Sequence, residues 1–220
     1  MSLDPEIVLY TYFRSSAAYR VRIALNLKGI KSESIYVHLL KDGGQQHSED
    51  YLKHNPQGLV PTLRHNEYDI GQSLAILEYL EEVFPEPSLL PGDVYGRARA
   101  RQLAYVVACD IHPLNNLRML QRLRDEYGLD EAARQDWQQH WIKLGFIALE
   151  KMLVGSKHTG KFCHGDTPTI ADICLIPQMF NARRVELDLT PYPTLRRIDE
   201  AANTLPAFAD AAPMVQPDAG

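Results

Sequence analysis

The chain has 220 residues, with 23 Lys and Arg against 28 Asp and Glu, giving a formal net charge of −5 at pH 7. Its 45% hydrophobic and 23% charged residues are those of a globular chain of one or two domains, which excludes wholesale disorder. The acidic balance argues against a grip on nucleic acid or an anionic membrane, and no apolar run approaches the ~18 residues of a membrane span. Residues 1–6 lack the basic patch and apolar stretch of a signal peptide, so a cytoplasmic location is expected. Residues 7–12 are an apolar, β-branched and aromatic run that predicts a buried strand. Ser15 and Ser16 then precede Ala17, Val21, Ala24 and Leu25, which share one helical face, and Lys28-Gly29 closes that helix. Strands are expected at 35–37, 61–64 and 68–70, with a polar loop at 41–44. A helix is expected from a Ser73 cap to Phe84, just before Pro85. The order is β-α-β, then β-β-α.

The composition then shifts. Pro85, Pro87, Pro91 and Gly92 mark a linker over 85–92, separating an α/β domain over 1–84 from a helical domain over 93–220. In the second, a long helix over 95–124 should kink at Pro113, a second covers 131–153, and a third starts at the capping box of Thr169 and Asp172 and bends at Pro177. The tail over 213–220 is expected to run across the surface. Three cysteines (Cys109, Cys163, Cys174) form no C-x-x-C, and the eight histidines no H-E-x-x-H, so no metal site is expected. Neither G-x-G-x-x-G nor the P-loop pattern is present, which argues against a nucleotide.

Arg14-Ser15-Ser16-Ala17-Ala18-Tyr19-Arg20-Val21-Arg22-Ile23-Ala24-Leu25 resembles the signature of zeta-class glutathione transferases. Asn55-Pro56-Gln57-Gly58-Leu59-Val60-Pro61, Gln72-Ser73, Ile111-His112-Pro113-Leu114-Asn115-Asn116 and Gly165-Asp166-Thr167-Pro168-Thr169-Ile170-Ala171-Asp172 follow in register, so the resemblance covers residues 7–218. It implies a thioredoxin-like domain that binds glutathione as cofactor, a helical domain that shapes the second-substrate site, and a homodimer. The implied reaction is cis–trans isomerisation of a maleyl dicarboxylate, maleylacetoacetate or maleylpyruvate. Thiolate addition makes the double bond single, rotation follows, and elimination regenerates glutathione. The alternatives are a transferase that conjugates electrophiles and a non-enzymatic interaction module of the same fold.

Physical chemistry supports particular roles for the matched residues. Ser15 lies where a helix start leaves N–H groups unpaired and carries roughly half a positive charge, which favours a thiolate over a thiol. A serine there commonly does no more than cap the helix. The resemblance places Ser15 beside the sulfur, with Ser16 as a second donor and Arg14 at the mouth of the site. It also implies a cis Val60–Pro61 bond whose Val60 main chain pairs with glutathione, and a carboxylate site at Gln72 and Ser73, with Gln57 nearby. Arginine's planar fork suits a diacid, and the resemblance to the isomerases implies Arg14 and Arg184 as carboxylate clamps, with Arg118 third and Asn116 beside it. Which of Arg183 and Arg184 faces the pocket stays open. His112 is expected to contact glutathione or a substrate oxygen. Arg97, Arg99 and Arg101 are read as solvated, and His38, His47, His54 and His65 as loop or strand-end surface residues. Thr169 and Asp172 are read as purely structural.

Overall fold

A computed structural model describes residues 7–219; residues 1–6, on which the signal-peptide reading falls, and Gly220 lie outside the described residues. Four strands form one mixed sheet in the order β2-β1-β3-β4. They are β1 (Ile7–Thr11), β2 (Glu33–Tyr36), β3 (Thr62–His65) and β4 (Tyr68–Gly71). β1 runs parallel to β2 and antiparallel to β3, which pairs antiparallel with β4. The parallel pair needs a crossover, and α1 (Ser16–Leu27) supplies it. Val8, Tyr10 and Tyr12 alternate onto a face that they share with Tyr51 and Val60.

This arrangement matches the thioredoxin-like domain that the resemblance implies, with one element added. Helix α2 (Glu49–His54) stands between β2 and β3, capped by Ser48, where only loop was expected. Helix α3 (Ser73–Val83) follows β4. Lys28 does not merely decorate the last turn of α1. It is buried, and its Nζ meets Glu81 Oε2 at 2.9 Å, Phe84 O at 2.6 Å and Pro87 O at 3.0 Å, tying the ends of α1 and α3 to the following segment. Two surface assignments are also corrected. His65 is buried with Nδ1 2.6 Å from the Tyr79 hydroxyl, and His54 bridges Asp69 (2.8 Å) and the Tyr10 hydroxyl (2.9 Å).

The chain divides into two compact units: Met1–Ser88 with Leu205–Gly220, and Leu89–Thr204. The boundary therefore differs from the expected 93–220 block, because the C-terminal segment folds with the sheet. Phe208 is fully buried, its carbonyl accepts from the Tyr19 hydroxyl at 3.3 Å, and Ala211 O accepts from Arg22 Nε at 3.0 Å. The tail is accordingly not a simple surface strand, since Pro213 is buried and Asp218 and Ala219 are half-buried.

The second unit is helical, and among the described residues its β-structure is one isolated bridge between Thr159 and Gly165. The expected single helix over 95–124 is in four pieces: α4 (Val94–Tyr105), a π-helical turn (Val106–Ile111), a 3-10 turn (His112–Asn115) and α5 (Leu117–Asp125). Proline lacks the N–H that would continue an α-helix, and here Pro113 is the second residue of the 3-10 turn. Helix α6 (Glu131–Leu153) comes in close against the π turn. A Cβ on its Gly145 would fall against the Ile111 side chain, which would have to shift. Helix α7 (Ile170–Arg184) starts with the expected capping box and contains Pro177, and α8 (Pro193–Asn203) follows. Arg99 is not solvated. It is 7% exposed and donates to Cys163 O (2.6 Å) and Thr159 Oγ1 (2.9 Å).

Candidate functional site

In the first unit the matched residues stand on three loops that leave the sheet. Ser15 is the N-cap of α1. Its Oγ accepts from the Ala18 N–H at 3.2 Å, and among the described residues nothing accepts its hydroxyl proton. That proton remains for a ligand. Ser15 is half-exposed, whereas Ser16, the first helical residue, is 6% exposed. Arg14 is exposed, with its guanidinium 5.4 Å from the Phe13 ring centroid.

The second loop carries Gln57, Val60 and Pro61. Asn55 organises it. Its Oδ1 accepts from the Gln57 N–H at 3.1 Å, while its Nδ2 donates to Leu59 O and Thr62 Oγ1. The Tyr51 hydroxyl takes the same two oxygens, Leu59 O and Thr62 Oγ1, and burial pushes that phenol up to about 12. The Val60–Pro61 bond is cis, as the resemblance implies. Val60 is buried, yet among the described residues its N–H and C=O have no hydrogen-bond partner. Buried main-chain groups are almost always paired, so these two stand open to a partner.

The third loop opens α3. The expected Ser73 cap is corrected here: the N-cap is Gln72, which makes no side-chain cap bond, and Ser73 is the first helical residue. Gln72 has φ 64° and ψ 110°, a conformation costly for a residue with a Cβ and seen chiefly where function over-determines it. Among the described residues, the N–H groups of Ser73, Leu74 and Ala75 meet no acceptor. They form a positive helix end without a partner. Gln72 Nε2 donates to Gln57 Oε1 at 2.7 Å, so the second and third loops are joined. Arg20, fully buried, donates to Ser73 Oγ at 3.1 Å and links α1 to α3.

The remaining candidate residues belong to the second unit. His112 begins the 3-10 turn and is half-buried. Trp137 Nε1 donates to Leu114 O at 2.8 Å and pins that turn to α6. Asn116 caps α5, its Oδ1 accepting from the Arg118 N–H at 3.2 Å, and among the described residues its NH2 meets no acceptor. Arg118 and Arg184 are exposed. Arg183 pairs with Asp199, whose carboxylate is 2% exposed, and burial pushes that carboxyl up although Arg183 pulls it down.

The supporting roles of Asn55, Arg20 and Arg22 were missed in the sequence. Arg22 donates to Thr11 Oγ1, Tyr12 O and Phe13 O, the groups that lead into Ser15, and burial lowers it to about 10, so it stays protonated at neutral pH. The available signal was the placement of two arginines among the apolar residues of α1.

Residues 9–88 match the family described as Glutathione S-transferase, N-terminal domain. The maleylpyruvate isomerase of Ralstonia sp is 50% identical over 211 residues, 96% of this chain and 98% of that protein. The maleylacetoacetate isomerase of Dictyostelium discoideum is 49% identical, over 98% of this chain and 97% of its own length. A solved holo structure of maleyl pyruvate isomerase, described as a bacterial zeta-class glutathione transferase, is similar with a TM-score of 0.94 at 48% identity, over 97% of this chain and 100% of that one. The chain belongs to the zeta-class glutathione transferase family. A further member, the maleylacetoacetate isomerase of Anaeromyxobacter dehalogenans 2CP-1 with bound GSH, is similar with a TM-score of 0.88 at 44% identity, over 99% of both chains.

Proposed function

We propose that this chain is a glutathione-dependent cis–trans isomerase of a maleyl diacid, acting on maleylacetoacetate as a cytoplasmic homodimer. Maleylpyruvate is the second reading, favoured by the 50% identical relative that carries that name. The observation that carries the proposal is the set of unclaimed groups on one unit: the Ser15 hydroxyl proton, the Val60 main chain, and the uncapped N–H groups of α3. A thiol donor, a strand-like partner and an anion site are what a cysteine-containing peptide with a free carboxylate requires, so the residues fit glutathione.

Bound glutathione supplies a thiol whose sulfur adds reversibly to a conjugated C=C bond and so allows it to rotate. The chain's own residues do the rest. The Ser15 hydroxyl and the start of α1 favour the ionised sulfur. Val60 aligns the peptide, and the N–H groups of Ser73, Leu74 and Ala75, with the Gln72 amide, hold its carboxylate. Arg14 places positive charge beside Ser15, where negative charge develops as the double bond is lost. Arg184, Arg118 and the Asn116 amide hold the substrate carboxylates, and His112 donates to glutathione or to a substrate oxygen.

The deciding experiment is a spectrophotometric assay of both maleyl substrates with glutathione limiting, alongside light scattering of the enzyme. Many turnovers per glutathione and a species of about twice the 25.0 kDa chain mass are expected. Stoichiometric consumption of glutathione would instead make the protein a conjugating transferase.

A further inference from the structure

Ser15 stands at the end of a short turn, Tyr12-Phe13-Arg14, that leaves β1. Such a turn takes its shape from whatever receives its main-chain donors and acceptors. The Ser15 N–H donates to Tyr12 O at 3.0 Å. Arg22 donates to Tyr12 O at 3.4 Å and to Phe13 O at 3.1 Å. The Phe13 N–H goes to a residue far away in sequence: it donates to Asp218 Oδ2 at 2.9 Å. Ala219, next to Asp218, packs on the apolar cluster that contains Tyr12, Phe13 and Val60.

Asp218 is held at a cost. Its Oδ1 is buried and has no hydrogen-bond partner. A carboxylate oxygen kept from water without a donor is unfavourable, so the rest of the arrangement must hold it there. Attraction to the Arg22 guanidinium contributes to that hold. The hydrogen bonds of Arg22 go to neutral carbonyls and a hydroxyl, and Asp218 exerts the largest charge effect on it.

We propose that Asp218 is a positioning residue for the Ser15 hydroxyl. Arg22 takes the carbonyls of Tyr12 and Phe13 and Asp218 takes the Phe13 amide, and together they fix the direction in which the Ser15 Oγ–H leaves α1. The inference rests on the reading of Ser15 as the donor to the sulfur.

Asp218→Ala removes both acceptor and charge, whereas Asp218→Asn keeps an acceptor for the Phe13 N–H. Asp218→Ala should lower kcat about tenfold while KM for glutathione changes by less than about twofold. It should also raise the apparent pKa of the bound thiol, read from the pH profile of kcat/KM. Asp218→Asn should keep most of the activity. In a Ser15→Ala background, Asp218→Ala should cost little more, because both changes act through one hydroxyl. A full further tenfold loss in that background would overturn the inference. So would failure of both Asp218 variants to fold, which would make the residue a structural tie. An impaired Ser15→Ala beside a silent Asp218→Ala overturns this inference alone, whereas a silent Ser15→Ala overturns the serine assignment and this inference with it.

Discussion

Ser15 and Ser16 are adjacent and chemically identical, and their surroundings separate them. Ser15 is half-exposed with a hydroxyl proton to give, and Ser16 is buried at the first position of the helix. Ser15→Ala should therefore lower kcat by at least about tenfold, with glutathione affinity nearly unchanged, since Val60 and the start of α3 hold the peptide. It should also cost about 1 kcal/mol of stability through the lost cap. Ser16→Ala should leave kcat near the parent value, and the reverse result moves the assignment one residue along. Steady-state kinetics and thermal melting check both. Arg99 shows what residue type alone conceals. Among three arginines at alternate positions it reads as solvated, yet helical spacing puts it with Gly96 and Leu103 on the buried side of α4. The signal was in the spacing, and the charge masked it.

At the scale of elements, strands and helices that bury an apolar stripe were legible, and those held by a single anchor were not. Helix α2 buries only Tyr51, so its sequence carries no period, and the Ser48 cap was the lone cue. The N-terminus of α3 shows the same limit from the other side. A serine before an apolar run predicts a cap, whereas the structure leaves the helix end uncapped behind a positive-φ Gln72, a choice that the local sequence opposes and that the proposed carboxylate site would explain. The capping box of α7 is the opposite case, since local signal and structure agree. Asp172 is fully buried and accepts from the N–H groups of Thr169 and Cys163, both at 2.8 Å. Asp172→Ala strands two buried donors and should destabilise the fold by roughly 2–4 kcal/mol. Calorimetry should show a clear fall in Tm, with the kinetic constants of the remaining folded enzyme unchanged. A change in KM at an intact Tm would give Asp172 a part in binding instead.

At the scale of the whole molecule, the division of the chain follows tertiary fit that no local pattern reports. Residues 205–219 carry short proline-initiated turns, and what places them with the sheet is Phe208 and the carbonyls of Ala207, Phe208 and Ala211 meeting Asn26, Tyr19 and Arg22 of α1. The composition shift at the prolines showed where the helical unit begins, but nothing in the tail showed where it ends. The adjacent arginines that close α7 pose the same kind of question, and a distant partner answers half of it. Both are exposed; Arg183 pairs with Asp199 on α8, and Arg184 is the one proposed to meet the diacid. The two substitutions should consequently separate. Arg183→Met leaves a buried carboxylate without its cation, so Tm should fall while KM stays close to the parent value. Arg184→Met should raise KM for a maleyl substrate by tenfold to a hundredfold, the equivalent of roughly 1.5–3 kcal/mol for a lost charge-assisted pair. Conjugation of an uncharged electrophile has no carboxylate to lose and should be unaffected by Arg184→Met. If both substrates weaken equally, Arg184 serves glutathione or the fold. If neither does, the clamp lies at Arg118, and Arg118→Met should then show the selective rise in KM.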